Sequence, residues 1–212
     1  TISGNAAVLI GNSVVLDETK KQKLYTDIYD DSQWLSKLVE NLLSITKIGQ
    51  GSVPLQIQPE LVADVFQDAL KHLDRHANEH SIQVVQEDDL LMAEMDARLI
   101  VQVIINLVNN AIKYTPTGSH IVLKAEKKDQ KVLISVSDDG PGIDSTDLPH
   151  LFEMFYTGDN SRMDGRRGIG IGLSLCKSIA EAHGGAISVV NRQPHGAVFH
   201  LTLKEAEVDV HE

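Results

Sequence analysis

The sequence has few of the features that mark secreted, membrane-spanning or nucleic-acid-binding proteins. Its 212 residues include one cysteine, Cys176, so no disulfide framework can form within the chain, and a reducing compartment is expected. There is no run of about 18 apolar residues that could cross a membrane, and no basic and then apolar signal sequence at the start. Lysine and arginine total 19 against 30 aspartates and glutamates, a net charge of −11, which argues against nucleic acid or an anionic membrane surface as a partner.

Apolar residues make up 42% of the chain, enough to bury a sizeable core in one large or two small domains. Residues 1–14 have few charges and predict an amphipathic helix. Residues 20–48 predict a second helix, because their apolar positions step by three, four or seven: Leu24, Ile28, Leu35, Leu38, Leu42, Ile45 and Ile48. Glycines and a proline between residues 49 and 54 end this helix, so we expect a domain boundary between residues 52 and 53.

The first domain, residues 1–52, is therefore predicted to be a truncated helical hairpin. The core of one hairpin is too small to be stable alone, so the apolar seam of residues 1–48 predicts a homodimer. The second domain, residues 53–212, alternates between short strands and helices and predicts an α+β sandwich. Residues 56–77 predict a short strand and then a helix, and further helices are predicted at 97–115, 147–155 and 172–183. The other predicted strands lie at 82–86, 90–95, 120–126, 131–138, 186–190 and 197–204. Asp96 stands where it could cap the helix at 97–115.

The stretch NLVNNAIKYT, residues 106–115, places polar side chains along one stripe of an otherwise apolar helix. Asn106, Asn110 and either Lys113 or Tyr114 recur at the spacing of helical turns. Buried amides are costly unless they are hydrogen-bonded, so the stripe needs a partner. The amides could satisfy each other or a neighbouring backbone. Alternatively, amide oxygens suit Mg²⁺ and an ammonium suits phosphate, which makes the stripe a candidate nucleotide-metal site.

Two glycine-containing segments follow the stripe. In VSDDGPGI, Asp138 precedes Gly140 and Gly142, an arrangement that can bind an exocyclic amine beside a flat ring, although an ordinary turn explains the same residues. In GIGIGL, three alternating glycines precede a predicted helix and could expose backbone N–H groups to phosphate: Gly168, Gly170 and Gly172. This second segment matches neither a dinucleotide fingerprint nor a Walker loop. Arg162, Arg166 and Arg167 just before it could bind a terminal phosphate or form a solvated charged loop.

Taken in order, NLVNNAIKYT, VSDDGPGI, LFEMFYTGD, GIGIGL and AHGGAI resemble the catalytic domain of two-component sensor histidine kinases. The resemblance covers residues 55–204, and the helix up to residue 51 resembles the second helix of the family's dimerisation and phosphoacceptor hairpin. The end of the chain further resembles the KdpD subgroup, which responds to potassium limitation. The family implies an ATP-binding sandwich shared with gyrase, Hsp90 and MutL, with ATP and Mg²⁺ as cofactors and a response-regulator receiver domain as partner. The resemblance also implies that this chain is the cytosolic part of a membrane-anchored bacterial sensor.

Site residues are carried over from the family by motif. Asn106 and Asn110 would hold Mg²⁺, and Asp138 would bind the adenine amino group. The remaining implied ATP contacts are Lys113, Tyr114, Gly140, Gly142, Ile143, Phe155, Arg166, Arg167, Gly168, Gly170, Gly172 and Leu173. Phe155 would flank the ATP lid over residues 156–171. Met154 and Thr157 stand where many members have basic residues, which leaves the arginines as the phosphate contacts.

The family's acceptor histidine lies in the pattern H-[ED]-x-R-T-P-L-T, and none of the nine histidines here has that context. By resemblance, Thr1 matches the threonine that closes the acceptor pattern, so the acceptor is expected about seven residues upstream, and this chain alone is not expected to autophosphorylate. Two alternatives stay open. One is a gyrase-like or MutL-like ATPase, which would need a glutamate base where the asparagine helix carries Gln102. The other is a nucleotide-binding regulatory module without kinase activity.

Overall fold

The structure is a computed structural model that describes residues 1–12, 16–49, 54–73, 75–158 and 170–206. The chain divides into two units, Thr1–Ser44 and Ile45–Glu212. The predicted boundary between residues 52 and 53 lies outside the described residues and stays a prediction. The division at residue 44 assigns the last turn of the long helix to the second unit.

Two helices form the first unit, α1 (Ile2–Asn12) and α2 (Glu18–Gly49, whose final residues belong to the second unit). Both helices were predicted. Asp17 caps α2, because its Oδ1 accepts a hydrogen bond of 2.8 Å from the backbone N–H of Lys20. The terminal amino group lies 3.5 Å from Asp31 Oδ2, near the middle of α2. The start of α1 thus lies beside the middle of α2, as expected for two helices that run antiparallel.

The second unit contains a five-stranded sheet whose strands are β2 (Ser81–Gln86), β4 (His120–Lys128), β5 (Lys131–Asp138), β6 (Ala186–Asn191) and β7 (Ala197–Lys204). Their order is β2-β4-β5-β7-β6. The β2–β4 pair is parallel and the other pairs are antiparallel. The β4–β5 turn has Asp129 and Gln130 at φ values of 49° and 59°, as a two-residue type I′ turn requires. A separate antiparallel pair joins β1 (Gln58–Leu61) and β3 (Met92–Met95).

Three helices pack with this sheet around one core: α3 (Val62–Lys71), α4 (Ala97–Tyr114) and α5 (Gly172–Ala182). Every second residue of the central strands is buried, which is the alternation expected of a sheet with one face in the core. The largest fully buried side chains are Phe66, Met95, Ile100, Ile104, Leu107, Ile121, Leu123, Ile134, Leu175, Ile179, Leu201 and Leu203. This α/β sandwich is the predicted fold class, and none of the helices in the described ranges is long and apolar enough to cross a membrane.

Two local predictions were wrong. Asp96 precedes α4, but its carboxylate does not cap the helix; Oδ2 accepts bonds from the backbone N–H of Gln56 (3.1 Å) and from Arg98 (3.4 Å) instead. These interactions hold the pKa of Asp96 below its usual value, although burial acts in the opposite direction. The predicted helix at 147–155 is a three-residue 3-10 helix, Leu148–His150, followed by turns. Phe155 has a left-handed φ of 66°, which no helix accommodates.

Candidate functional site

The polar stripe of α4 lies between a buried face and the start of α5. Ile104, Leu107, Val108, Ala111 and Ile112 are buried in the core, as the apolar pattern of the stretch predicted. Asn106 is partly buried, and a methyl group on Gly172, the first residue of α5, would lie 3.7 Å from Asn106 Oδ1. The Nδ2 atom of Asn106 is buried and has no hydrogen-bond partner among the described residues. A buried amide nitrogen without a partner is a group that a ligand can satisfy.

The next two turns of α4 continue the stripe. Asn110 is partly buried, and no side-chain hydrogen bond to it is found among the described residues. Lys113 Nζ donates a hydrogen bond of 2.9 Å to the hydroxyl of the half-exposed Tyr114 and lies 4.6 Å from the centre of its ring. The stripe therefore presents amides in a partly buried region and a cation at the exposed end of the helix.

Cys176 belongs to the packing beneath this stripe. Burial raises the pKa of its thiol to about 12. The thiol is fully buried in the core, as the apolar run around it predicted. A thiol in this state is not a nucleophile near neutral pH.

Asp138 ends β5 in the position predicted for it and is 7% exposed. Its Oδ1 accepts hydrogen bonds from the backbone N–H groups of Gly140 (2.9 Å) and Ala197 (3.3 Å). Oδ2 accepts none from the described residues. Burial raises the pKa of this carboxyl above its usual value, although both backbone bonds and the charge of Arg192 act to lower it. The site thus holds a buried carboxylate with one oxygen left for a donor that is not part of the described chain.

The turn after Asp138, residues 140–143, touches the end of α4. A methyl group on Gly140 would lie 2.5 Å from Thr115 Cγ2 and 3.0 Å from Asp138 Oδ1, so only glycine fits between them. Thr115 itself is buried, and its hydroxyl donates to the carbonyl of Ala111 at 2.8 Å. This contact brings the end of α4 and the turn of residues 140–143 together.

A second chain segment, whose role could not be predicted from the sequence, holds the turn. It is the β6–β7 connection, residues 191–197. Asn191 makes two hydrogen bonds to the backbone of Ile143, and His195 Nδ1 donates to the carbonyl of Asp139 at 2.8 Å. Gly196 has a φ of 105°, and a Cβ there would overlap the carbonyl of Asp138. The one available signal was the segment NRQPHG, which has turn residues but no spacing that relates it to Asp138.

The ends of the loop over residues 156–171 meet each other. The N–H of Phe155 donates to the carbonyl of Gly170 at 2.9 Å, and Gly170 has a φ of 70° with no room for a side chain against Tyr156. Phe155 is 59% exposed, and Leu173 is partly buried against the core. Among the described residues no side chain caps α5 at Ile171, so its first N–H groups could donate to an anion. Arg162, Arg166, Arg167 and Gly168 lie outside the described residues.

A buried strand-end carboxylate, a glycine turn and an amide-bearing helix lie on one α/β sandwich, which makes them a candidate ligand site. The comparisons with known proteins identify the family. A model of the histidine kinase-, DNA gyrase B- and HSP90-like ATPases matches residues 95–207, slightly more than half of the chain. The chain therefore belongs to this ATPase family.

Relatives and solved structures named as sensor proteins or histidine kinases are similar to almost the whole chain. Sensor protein KdpD of Clostridium acetobutylicum is 42% identical over 202 residues, which are 95% of this chain and 22% of that protein. The structure of the Acinetobacter baumannii histidine kinase AdeS shares the fold, with a TM-score of 0.76 at 23% identity over 97% of this chain and 94% of its own. Histidine kinase ThkA, solved in complex with the response regulator TrrA, matches with a TM-score of 0.71 at 25% identity, over 97% of this chain and 57% of its own.

Proposed function

We propose that the chain is the ATP-binding catalytic part of a sensor histidine kinase that passes the γ-phosphoryl of ATP to a histidine outside these 212 residues. The observation that carries this proposal is Asp138, a buried carboxylate whose Oδ1 is held by two backbone N–H groups while Oδ2 has no described partner. An adenine amine would donate to that oxygen, and Gly140, Gly142 and Ile143 would lie beside the ring. The bond is charge-assisted and so contributes about 1.5–3 kcal/mol.

The phosphate side of the proposed site fits ATP with Mg²⁺. The buried Nδ2 of Asn106, which has no partner among the described residues, is a donor that suits a phosphate oxygen. The amide oxygens of Asn106 and Asn110 suit Mg²⁺. When bound, Mg²⁺ would neutralise charge on the phosphates. Lys113 would add a positive charge, and the N–H groups at the start of α5 would donate to phosphate. The chain would therefore position the phosphates of ATP and place positive charge beside them, which is most of what catalysis of phosphoryl transfer requires.

Kinase chemistry fits this chain better than hydrolysis. A hydrolytic ATPase needs a carboxylate base that activates water, and α4 carries Gln102, an amide, one turn before Asn106. The helices of the first unit further favour the kinase, because a sensor kinase needs a helical hairpin to present its acceptor histidine. We expect the receiver domain of a response regulator as the phosphoryl acceptor from that histidine, in line with the complex of ThkA with TrrA. Potassium or osmotic sensing by a membrane-anchored parent protein rests on the KdpD relative alone.

The test of the nucleotide site is calorimetry with ATP and Mg²⁺. We expect binding by the 212-residue chain and a marked loss of Mg²⁺-dependent affinity in Asn110→Ala, because the stripe loses a metal ligand. Asn78→Ala is the matched control, since Asn78 is an exposed asparagine of the 3-10 helix Arg75–Glu79 and is none of the proposed nucleotide contacts. An ATP affinity of Asn110→Ala equal to that of the unaltered chain would refute the role of Asn110.

The test of the kinase assignment uses radiolabelled ATP. The chain alone should incorporate no acid-labile phosphate, whereas the parent protein, with the acceptor pattern expected upstream of Thr1, should form phosphohistidine. A chain that labels itself would show that the acceptor lies among its own nine histidines.

The homodimer is proposed from the exposed apolar side chains of α2. Six apolar or aromatic residues spread over about five turns are more than a third exposed: Tyr25, Tyr29, Leu35, Val39, Leu42 and Leu43. Such a surface is costly in water and typical of a helix that pairs with a second copy. We expect the double substitution of Leu35 and Leu42 by Asn to dissociate the dimer in sedimentation experiments. Leu90→Asn is the control, because Leu90 is an equally apolar, 75% exposed residue outside the helices. Dimers of the double variant would contradict this interface.

A further inference from the structure

Asn191, the last residue of β6, pairs with a single residue of the glycine turn. Its Oδ1 accepts a hydrogen bond of 2.8 Å from the N–H of Ile143, and its Nδ2 donates one of 2.7 Å to the carbonyl of the same residue. The two residues are 48 positions apart in the chain. A planar amide that bonds both polar groups of one residue fixes the two peptide planes on either side of it.

Gly142 shows that the turn and the amide fit each other closely. Its φ is 81°, in the region that favours glycine. A Cβ at this position would lie 3.1 Å from Asn191 Oδ1 and 3.3 Å from the carbonyl oxygen of Gly196. A side chain on the turn would therefore displace the Asn191 amide, and the amide in turn limits where the turn can lie.

The rest of the β6–β7 connection holds the other end of the same turn. His195 bonds the carbonyl of Asp139, and the N–H of Ala197 bonds Asp138 Oδ1. Asn191 is therefore the contact through which this connection reaches the far end of the turn, where Ile143 would lie beside the base. The two bonds of Asn191 lie in an exposed region, so Ile143 would bond to water without them. Their loss should cost the fold little and leave the turn free to shift.

From these contacts we propose that Asn191 is a positioning residue of the nucleotide site: its amide holds the glycine turn where the turn and Asp138 together recognise the adenine ring. This inference rests on the proposed function. A site built to bond an amino group discriminates strongly against a ligand that lacks it, but only while the groups around that ligand stay in place. Asn191 should therefore control selectivity for the base and not only affinity.

The experiment compares ATP with purine riboside triphosphate, which lacks the exocyclic amine. Calorimetry is carried out on the unaltered chain, Asn191→Ala, Asn191→Asp and Ser188→Ala. The Asp variant keeps the size of Asn191 and an acceptor for the Ile143 N–H, but its second oxygen faces the Ile143 carbonyl and repels it. Ser188 is the matched control, because it is exposed on the same strand and lies away from the turn.

In the unaltered chain, ATP should bind about tenfold or more tightly than purine riboside triphosphate, as loss of one charge-assisted bond implies. In both Asn191 variants, ATP should bind roughly tenfold more weakly and the ratio of the two dissociation constants should fall towards one. Ser188→Ala should keep the original ratio, and thermal unfolding should show that Asn191→Asp is folded. An unaltered ratio in a folded Asn191 variant overturns the role of Asn191 while the proposed function stands. An unaltered chain that binds no ATP overturns both.

Discussion

Replacement of Asp138 by Asn separates recognition of the nucleotide from stability of the fold. In Asn, the remaining Oδ1 still accepts the backbone N–H groups of Gly140 and Ala197, at 2.9 Å and 3.3 Å in the unaltered chain. Oδ2 becomes an amide NH₂, which cannot accept a bond from an adenine amine. We therefore expect a loss of about 1.5–3 kcal/mol, or a roughly 10- to 150-fold weaker affinity for ATP.

The folded state of Asp138→Asn should not lose stability, although its affinity for ATP falls. Burial raises the pKa of Asp138 in the folded protein. Between the pKa of the unfolded chain and this raised value, the folded state binds more protons than the unfolded state, so stability falls as pH rises through that window. The cost is complete once the pH lies above the raised pKa, where the carboxyl is ionised in both states. A neutral amide of the same size avoids this cost, so Asp138→Asn should be as stable as the unaltered chain or more stable.

Calorimetry with ATP and thermal unfolding near neutral pH measure the two effects. Asp139→Asn is the matched control, since Asp139 pairs with the exposed His120 at 3.0 Å and such a pair contributes at most about 1 kcal/mol. The control should bind ATP almost as tightly as the unaltered chain. Unaltered ATP affinity in Asp138→Asn would refute the assignment of this carboxylate to the base, and a large fall in melting temperature would show that its role is structural.

Three further substitutions test the packing and the electrostatics of the ATPase domain. Gly140→Ala should destabilise the fold by about 1–3 kcal/mol, because the new methyl group would lie 2.5 Å from Thr115 Cγ2; urea unfolding without that loss would contradict the contact. Leu201→Ala leaves a cavity at a fully buried position and should cost about 2–5 kcal/mol, a fall in melting temperature of roughly 4–20 °C. Burial lowers the pKa of His200, so the unfolded chain takes up its proton first and stability should fall as pH drops below about 6.5. His200→Gln should show a shallower decline in urea unfolding, and an unaltered slope would exclude His200 as its source.

The elements of the fold could be predicted because their signals are local. The helix α4 has an apolar face at helical spacing, and the hairpin of β4 and β5 has alternating residues on either side of a polar turn. The strand order β2-β4-β5-β7-β6 could not be predicted in the same way, because the parallel β2–β4 pair depends on a crossover through α4. Asp96 is a second case in which a contact between distant residues could not be predicted. Its position predicts a cap, but Gln56, 40 residues earlier, takes the carboxylate.

In the candidate site, too, residues in local motifs could be predicted from the sequence, and those that act through long-range contacts could not. Asn106, Asn110 and Asp138 could be identified from the sequence, since each belongs to a short motif whose residue types suggest a chemistry. Asn191 could not, since no local pattern relates a strand-end asparagine to a backbone group 48 residues away. The role of Gly140 was only partly visible: a glycine in a turn is common, and its contact with Thr115 appears only once α4 and β5 are packed together.

Gly196 shows how the β6–β7 connection and the carboxylate of Asp138 are held together. With a φ of 105° and no Cβ, it lets the β6–β7 connection lie directly against the carbonyl of Asp138. That approach brings the N–H of the next residue, Ala197, within 3.3 Å of the carboxylate. A buried carboxylate without such donors would be costly to ionise. The glycine therefore lets a backbone N–H oppose the rise in the pKa of Asp138 that burial causes. A carboxylate oxygen with no partner among the described residues is what the proposed bond from an adenine amine requires.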